Sequence, residues 1–227
     1  MNLAFVYAGQ GSQHAGMGRD FYQEFPLYRE VIDNLDVDFD LKQISFEGPE
    51  EVLTRTEYTQ PCMVAFAAGV SALLQEEGLT PQMAAGLSLG EYSALQAAGV
   101  FDAQTAVNLA AFRGQAMEEA VRDIPCGMTA VLGLEREKLQ EICQQASALG
   151  VVSIANYNCP MQLVIGGALP AVEEASRLAL EAGAKRCVPL KVSGPFHTAL
   201  MDSAAEKLHE EFQDAEFGDM NFPVIFN

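Results

Sequence analysis

The sequence predicts an α/β protein. It combines a mainly parallel-sheet, α/β-hydrolase-like large domain with an inserted ferredoxin-like βαββαβ subdomain. Three observations lead there. Short apolar runs at Leu3-Ala4-Phe5-Val6-Tyr7, Met83-Ala84-Ala85 and Phe222-Pro223-Val224-Ile225-Phe226 have the length and composition of buried strands and are separated by helical stretches. The second run enters Gly86-Leu87-Ser88-Leu89-Gly90, a G-x-S-x-G pentad ahead of a helix-forming stretch, which is the sequence form of a nucleophile elbow. From Cys126 the texture changes to short strands and helices in the order β-α-β-β-α-β, the split βαβ arrangement. Residues 1–125 and 192–227 are therefore assigned to the large domain and residues 126–191 to the subdomain.

The first strand runs into Ala8-Gly9-Gln10-Gly11-Ser12-Gln13. This loop has neither the G-x-G-x-x-G spacing nor the Gly-Lys-Ser/Thr ending of a phosphate cradle. It fits a loop whose backbone N–H groups face a reacting centre, and equally an ordinary strand-to-helix connection. Residues 20–34 form a helix, with Phe21, Phe25, Tyr28 and Ile32 at helical spacing. Asp36-Val37-Asp38-Phe39-Asp40 is a solvated connection, and residues 50–55 a short helix. Thr59-Gln60-Pro61 opens a long helix through Leu74, with Thr59 as its cap and Pro61 in its first turn.

In the pentad, glycines two before and two after the serine permit a tight turn and close strand–helix approach. The helix that follows, residues 91–98, is closed by Gly99 and aims its N-terminal N–H groups at the serine oxygen. An idle serine on a Gly-rich turn is the alternative. Asp102 caps the next helix, to about Val121. Arg113 lies in its apolar run, either snorkelling to the surface or held in a pocket as a two-pronged partner for a carboxylate.

In the subdomain the strands fall at 128–134, 151–156, 162–165 and 187–190, with helices at 136–148 and 171–182 and a turn at Asn158-Cys159-Pro160. The chain returns through Ser193-Gly194-Pro195-Phe196-His197 into a helix over 199–212. His197 thus sits at or just before a helix N-terminus, where the dipole favours a neutral, proton-accepting imidazole; a capping role is the alternative. His14 lies in a loop and His209 on a charged helix face.

Composition narrows the function. With 49% hydrophobic residues among 227, the chain has ample material for a core. Thirteen Lys and Arg against 31 Asp and Glu give a formal charge of −18, which repels nucleic acid and anionic membranes. No apolar run is long enough to span a bilayer, and Met1-Asn2-Leu3-Ala4 lacks a charged signal-peptide start. Cys62, Cys126, Cys143, Cys159 and Cys187 are scattered and form no C-x-x-C pair, which argues against a zinc site or disulfide framework. A reduced cytoplasmic enzyme without metal or cofactor is expected.

Taken together, these stretches resemble the malonyl-CoA:acyl-carrier-protein transacylases. The resemblance rests, in order, on Gly9-Gln10-Gly11-Ser12-Gln13, Tyr58-Thr59-Gln60-Pro61 and Gly86-Leu87-Ser88-Leu89-Gly90-Glu91-Tyr92. It continues through Arg113-Gly114 with Met117, Asn156-Tyr157-Asn158-Cys159-Pro160 with Gln162, and Pro195-Phe196-His197. The resemblance implies that Ser88 is the nucleophile, His197 its base, and the backbone N–H groups of Gln10 and Leu89 the oxyanion hole. It makes Arg113 the grip on the malonyl carboxylate, with Gln60, Met117, Asn158, Gln162 and Phe196 also binding substrate. Phe196 would occupy the room an α-methyl needs and so favour malonyl over methylmalonyl. Malonyl would pass from coenzyme A to Ser88 and then to the phosphopantetheine thiol of acyl carrier protein, in fatty-acid or polyketide synthesis. The coenzyme A thioester is a substrate, not a cofactor.

The chain departs from the family pattern at Leu87, where the family usually has His, and at Met161, where it usually has Gly. The family's chain also continues past the point matching Asn227, so a fragment of weak or no activity is an expectation. No Asp or Glu between Ser88 and His197 is an obvious third triad member, as expected for a dyad. Two competing readings remain: a thioesterase or esterase built on the same elbow, and a truncated, non-catalytic carrier-protein-binding module. An acidic carrier would need a local basic patch, for which Lys185, Arg186 and Lys191 are candidates.

Overall fold

The computed structural model describes residues 2–227 and divides the chain into two compact units. One comprises residues 2–115 with Glu210–Asn227; the other is Ala116–His209.

The first unit holds strands β1 (Ala4–Tyr7), β2 (Met83–Gly86) and β7 (Val224–Ile225) in a parallel sheet of order β1-β2-β7. Val6 pairs with Ala85 and Ala85 with Ile225, so one row of side chains crosses all three strands. Helices α1 (Arg19–Glu24), α2 (Pro26–Asp33), α3 (Glu50–Leu53), α4 (Thr56–Glu76), α5 (Gly90–Ala97) and the start of α6 (Ala103–Ala120) belong here. Their apolar faces build a core around Tyr28, Leu53, Val64, Leu89 and Val107.

Two helical expectations are corrected. Residues 20–34 are not one helix. Phe25, forced out of the helical region by the proline that follows, is extended (φ −113°, ψ 111°) and splits the stretch into α1 and α2. The long helix starts at Thr56, a turn before the expected opening, and Pro61 lies inside it. Thr59 is not its cap: its hydroxyl donates to the Leu53 and Arg55 carbonyls instead. Asp102 does act as a cap, its carboxylate accepting from the Thr105 N–H at 2.7 Å.

The second unit contains β3 (Cys126–Leu132), α7 (Arg136–Ala146), β4 (Val152–Cys159), β5 (Gln162–Ala168), α8 (Leu169–Glu181) and β6 (Arg186–Pro189). Its antiparallel sheet has the order β4-β5-β3-β6, with the two central strands first and third in sequence. That is the ferredoxin-like topology. Alternate residues serve opposite faces. Val131, Leu163 and Ile165 pack with Leu139, Ile142, Val172 and Ala175 of the two helices, while Met128, Ala130 and Val164 form a separate cluster joined by Phe196. The expected turn at Asn158-Cys159-Pro160 falls later: β4 runs through Cys159, and the reversal is made at Pro160-Met161, where Met161 has φ 68°. Helix α9 (Asp202–Asp214) follows a short 3-10 turn, Ala199–Met201. No helix among the described residues is long and apolar enough to cross a membrane.

Candidate active site

The pentad folds as a sharp turn from the carboxyl end of β2 into α5, with Ser88 at its tip in a left-handed conformation (φ 51°). Such a conformation costs a non-glycine residue about 1–3 kcal/mol and persists only where its surroundings over-determine it. Here they do. The Leu87 N–H donates to the Tyr7 carbonyl at 3.1 Å, the Gly90 N–H to Leu87 at 2.9 Å and the Glu91 N–H to Ser88 at 3.1 Å. The glycines are required by contact. A Cβ on Gly86 would lie 1.9 Å from the Gly90 carbonyl carbon, and one on Gly90 would lie 2.4 Å from the Tyr7 carbonyl oxygen.

Gly86→Ala and Gly90→Ala are therefore expected to destabilise the protein by about 3 kcal/mol or more, since backbone, not a flexible side chain, would have to move. A Cβ on Gly127 meets nothing closer than Leu169 Cδ1 at 3.6 Å. The Gly127→Ala variant should stay within about 1 kcal/mol of the parent. Urea melts of the three variants check this; equal midpoints would refute the contact argument.

Arg113 reaches this turn from α6. It is 8% exposed, and its guanidinium donates from Nη2 to Ser88 Oγ at 3.0 Å and from Nη1 to Gln60 Oε1 at 2.8 Å. Gly114 sets up the approach: a Cβ there would stand 2.6 Å from the Thr56 carbonyl oxygen, so α6 can lie this close to the start of α4, the helix carrying Gln60. The Tyr92 ring lies 5.7 Å from the guanidinium carbon, within cation–π range. Among the described residues no carboxylate lies within ion-pair distance of Arg113. Burial pushes its pKa down from the usual arginine value, opposed by Tyr92 and Glu91. Burial raises the Tyr92 phenol, partly offset by Arg113.

The chain of polar contacts extends further. Gln60, fully buried, donates to Gln10 Oε1 at 3.4 Å, and Gln10 donates to Thr56 Oγ1 at 3.1 Å. Gln10 follows β1, where the loop backbone at Gly9 lies against the Leu87 carbonyl. Leu89 is buried at the head of α5. Leu87 is 52% exposed beside the serine. The first unit thus brings together Ser88, Arg113, Gln60 and Gln10, with Leu89 next in sequence to the serine.

The remaining residues implied by resemblance lie in the second unit. Met117 is buried one turn further along α6. Asn158 is exposed on β4, and Gln162 opens β5 with its Oε1 3.6 Å from Cys159 Sγ. Phe196 packs against the Met128–Ala130–Val164 cluster. His197 is exposed with φ 60°, and Thr198 beside it donates its hydroxyl to the Pro195 carbonyl at 2.7 Å. Helical backbone begins at Ala199, as expected, as a 3-10 turn that runs into α9 at Asp202, so His197 lies two residues before it.

Sequence reasoning missed Asn227. Its Oδ1 accepts the Ser88 N–H at 3.0 Å, its Nδ2 donates to the Gly86 carbonyl and to Glu91 Oε1 (2.8 Å), and its backbone N–H donates to the same Glu91 oxygen at 2.6 Å. No periodicity or motif signals a contact across 139 residues.

A parallel α/β sheet with a strained serine between strand and helix, facing a buried arginine that has no ion-pair partner among the described residues, defines an acyltransferase-type elbow. The comparisons agree: the acyl transferase domain family matches residues 4–224. The chain belongs to that family and, within it, to the malonyl CoA-acyl carrier protein transacylases. It is 43% identical to the Bacillus subtilis relative of that name over 228 residues, covering 99% of this chain and 72% of the relative. The Escherichia coli K12 relative is 41% identical, with 99% and 74% covered. Among solved structures, MCAT from Streptococcus pneumoniae superposes with a TM-score of 0.92 at 49% identity, covering 99% of this chain and 74% of that one. PlMCAT, a malonyl-transacylase solved with the type II PKS acyl-carrier protein AntF, gives 0.95 at 40% identity over the same shares.

Proposed function

We propose that the protein transfers malonyl groups from malonyl-CoA to acyl carrier protein through an ester on Ser88, in fatty-acid or polyketide synthesis. One observation carries the reading. Arg113 is buried, has no carboxylate partner among the described residues and donates to the serine oxygen itself. A buried cation within bonding distance of a nucleophile is matched by a substrate whose acyl group ends in a carboxylate. A general esterase has no use for it.

In this mechanism His197 takes the proton as Ser88 Oγ attacks the thioester carbonyl. The backbone N–H groups of Gln10 and Leu89 receive the developing oxyanion, each such donor being worth about 3 kcal/mol. Collapse breaks the carbon–sulfur bond, and the leaving coenzyme A thiolate takes from His197 the proton that came from Ser88. The carrier's phosphopantetheine thiol then repeats the sequence on the Ser88 ester, a ping-pong scheme. The exposed Lys185 and Arg186, at the start of β6, and Lys191 beyond it offer cations to an acidic carrier. The unpaired state of the five cysteines supports a reducing, cytoplasmic setting.

Intact-protein mass after brief incubation with malonyl-CoA tests the scheme. A single malonyl group mapped to Ser88, and discharged by holo carrier protein faster than by water, is the expected result. An adduct elsewhere, or discharge only to water, would sink it.

A further inference from the structure

We propose that Asn227, acting with Glu91, is a positioning residue that holds Ser88 in the geometry required for acyl transfer; the proposal rests on Ser88 being the nucleophile. The hydrogen bonds form a closed set around the elbow. The Asn227 carboxamide spans the pentad, accepting from the Ser88 N–H through Oδ1 and donating to the Gly86 carbonyl through Nδ2. Glu91, three residues after the serine, takes both the Nδ2–H and the backbone N–H of Asn227 on one oxygen. A single residue two positions beyond β7 therefore engages the residue before, the residue at and the residue after the strained turn.

The arrangement has a physical purpose. Ser88 is the pentad residue in the left-handed region, and its φ sets where Oγ points. The turn's own hydrogen bonds use the Leu87, Gly90 and Glu91 N–H groups. They leave the Ser88 N–H to Asn227, the bond that bears directly on the serine's rotation about its N–Cα axis. A carboxamide suits the task because it presents an acceptor and a donor side by side; neither aspartate nor leucine does. Glu91 orients the amide, since with Nδ2 held by a carboxylate, Oδ1 must face the Ser88 N–H.

The experiment is a double-mutant cycle on Asn227→Ala and Glu91→Ala, with Glu91→Gln as the conservative variant, read as the rate of Ser88 malonylation. Each alanine variant is expected to lower the acylation rate about 10- to 100-fold, the scale of a small misplacement of a reacting group, while KM for malonyl-CoA moves less than about threefold. The two losses should not multiply in the double variant, because both break one contact set. Glu91→Gln, which keeps an acceptor, should recover most of the loss. Multiplying losses, or a raised KM at unchanged acylation rate, would overturn the proposal.

Hydrogen exchange of the Ser88 amide supplies a readout independent of catalysis. Exchange should accelerate in Asn227→Ala about tenfold or more at Ser88 and stay at the parent rate in the second-unit sheet. Parent-like exchange at Ser88, or acceleration everywhere through unfolding, would overturn it. A malonyl adduct away from Ser88 with accelerated Ser88 exchange would instead refute the nucleophile assignment and leave the clamp standing.

Discussion

Ser88→Ala is expected to abolish malonyl-enzyme formation and to lower kcat by about 10⁶-fold, the scale of loss when a nucleophilic serine is removed from an acyl-transfer site. Without Oγ no ester can form, and the ping-pong route closes however well the oxyanion donors are placed. The fold should survive. Alanine tolerates the left-handed backbone about as poorly as serine, and the amide held by Asn227 remains, so the melting temperature should stay within a few degrees of the parent. Removal of Oγ also frees one donor of Arg113, which keeps its bond to Gln60. Intact mass, turnover and thermal melts on one preparation separate these effects. Retained covalent labelling in a well-folded variant would remove Ser88 from the nucleophile role.

Local rules made the elbow legible, while partners set by tertiary contact were hidden. The strand before the pentad, the helix after it and the Asp102 cap each follow from short-range chemistry. Arg113 stood out because a guanidinium in an apolar run requires an explanation. Local spacing did not show that its guanidinium bonds Gln60, 53 residues away, and Ser88 while lying against the Tyr92 ring. The helix over residues 20–34 was misread because its apolar spacing continues straight through Pro26, and a spacing rule is blind to the extended residue a proline imposes before it. Thr59 was misread for the converse reason. Its hydroxyl has the chemistry of a cap, yet a helical turn forms upstream and absorbs it. Met161 shows a further limit: the departure from glycine was visible, but only the backbone shows that it falls on a residue at φ 68°.

Arg113→Ala is expected to change substrate choice more than it changes the chemistry. Truncating one member of a desolvated charge pair costs about 2–5 kcal/mol. The kcat/KM for malonyl-CoA should accordingly fall about 10²- to 10³-fold. Acetyl-CoA presents a methyl group where malonyl presents a carboxylate, and a buried guanidinium beside a methyl is a charge left without a partner. For acetyl-CoA the loss should stay under about tenfold, so that the preference between the two thioesters narrows or inverts. Arg113→Lys retains charge but not the planar fork that reaches Gln60 Oε1 and Ser88 Oγ together, and it should recover only part of the malonyl rate. Competition between labelled malonyl-CoA and acetyl-CoA for Ser88 measures the ratio directly, free of differences in active-enzyme concentration. Equal losses on both substrates would mean that Arg113 serves the serine or the fold and does not read the carboxylate. A loss confined to malonyl would make it the residue that converts a generic nucleophile elbow into one selective for a dicarboxylic acyl group.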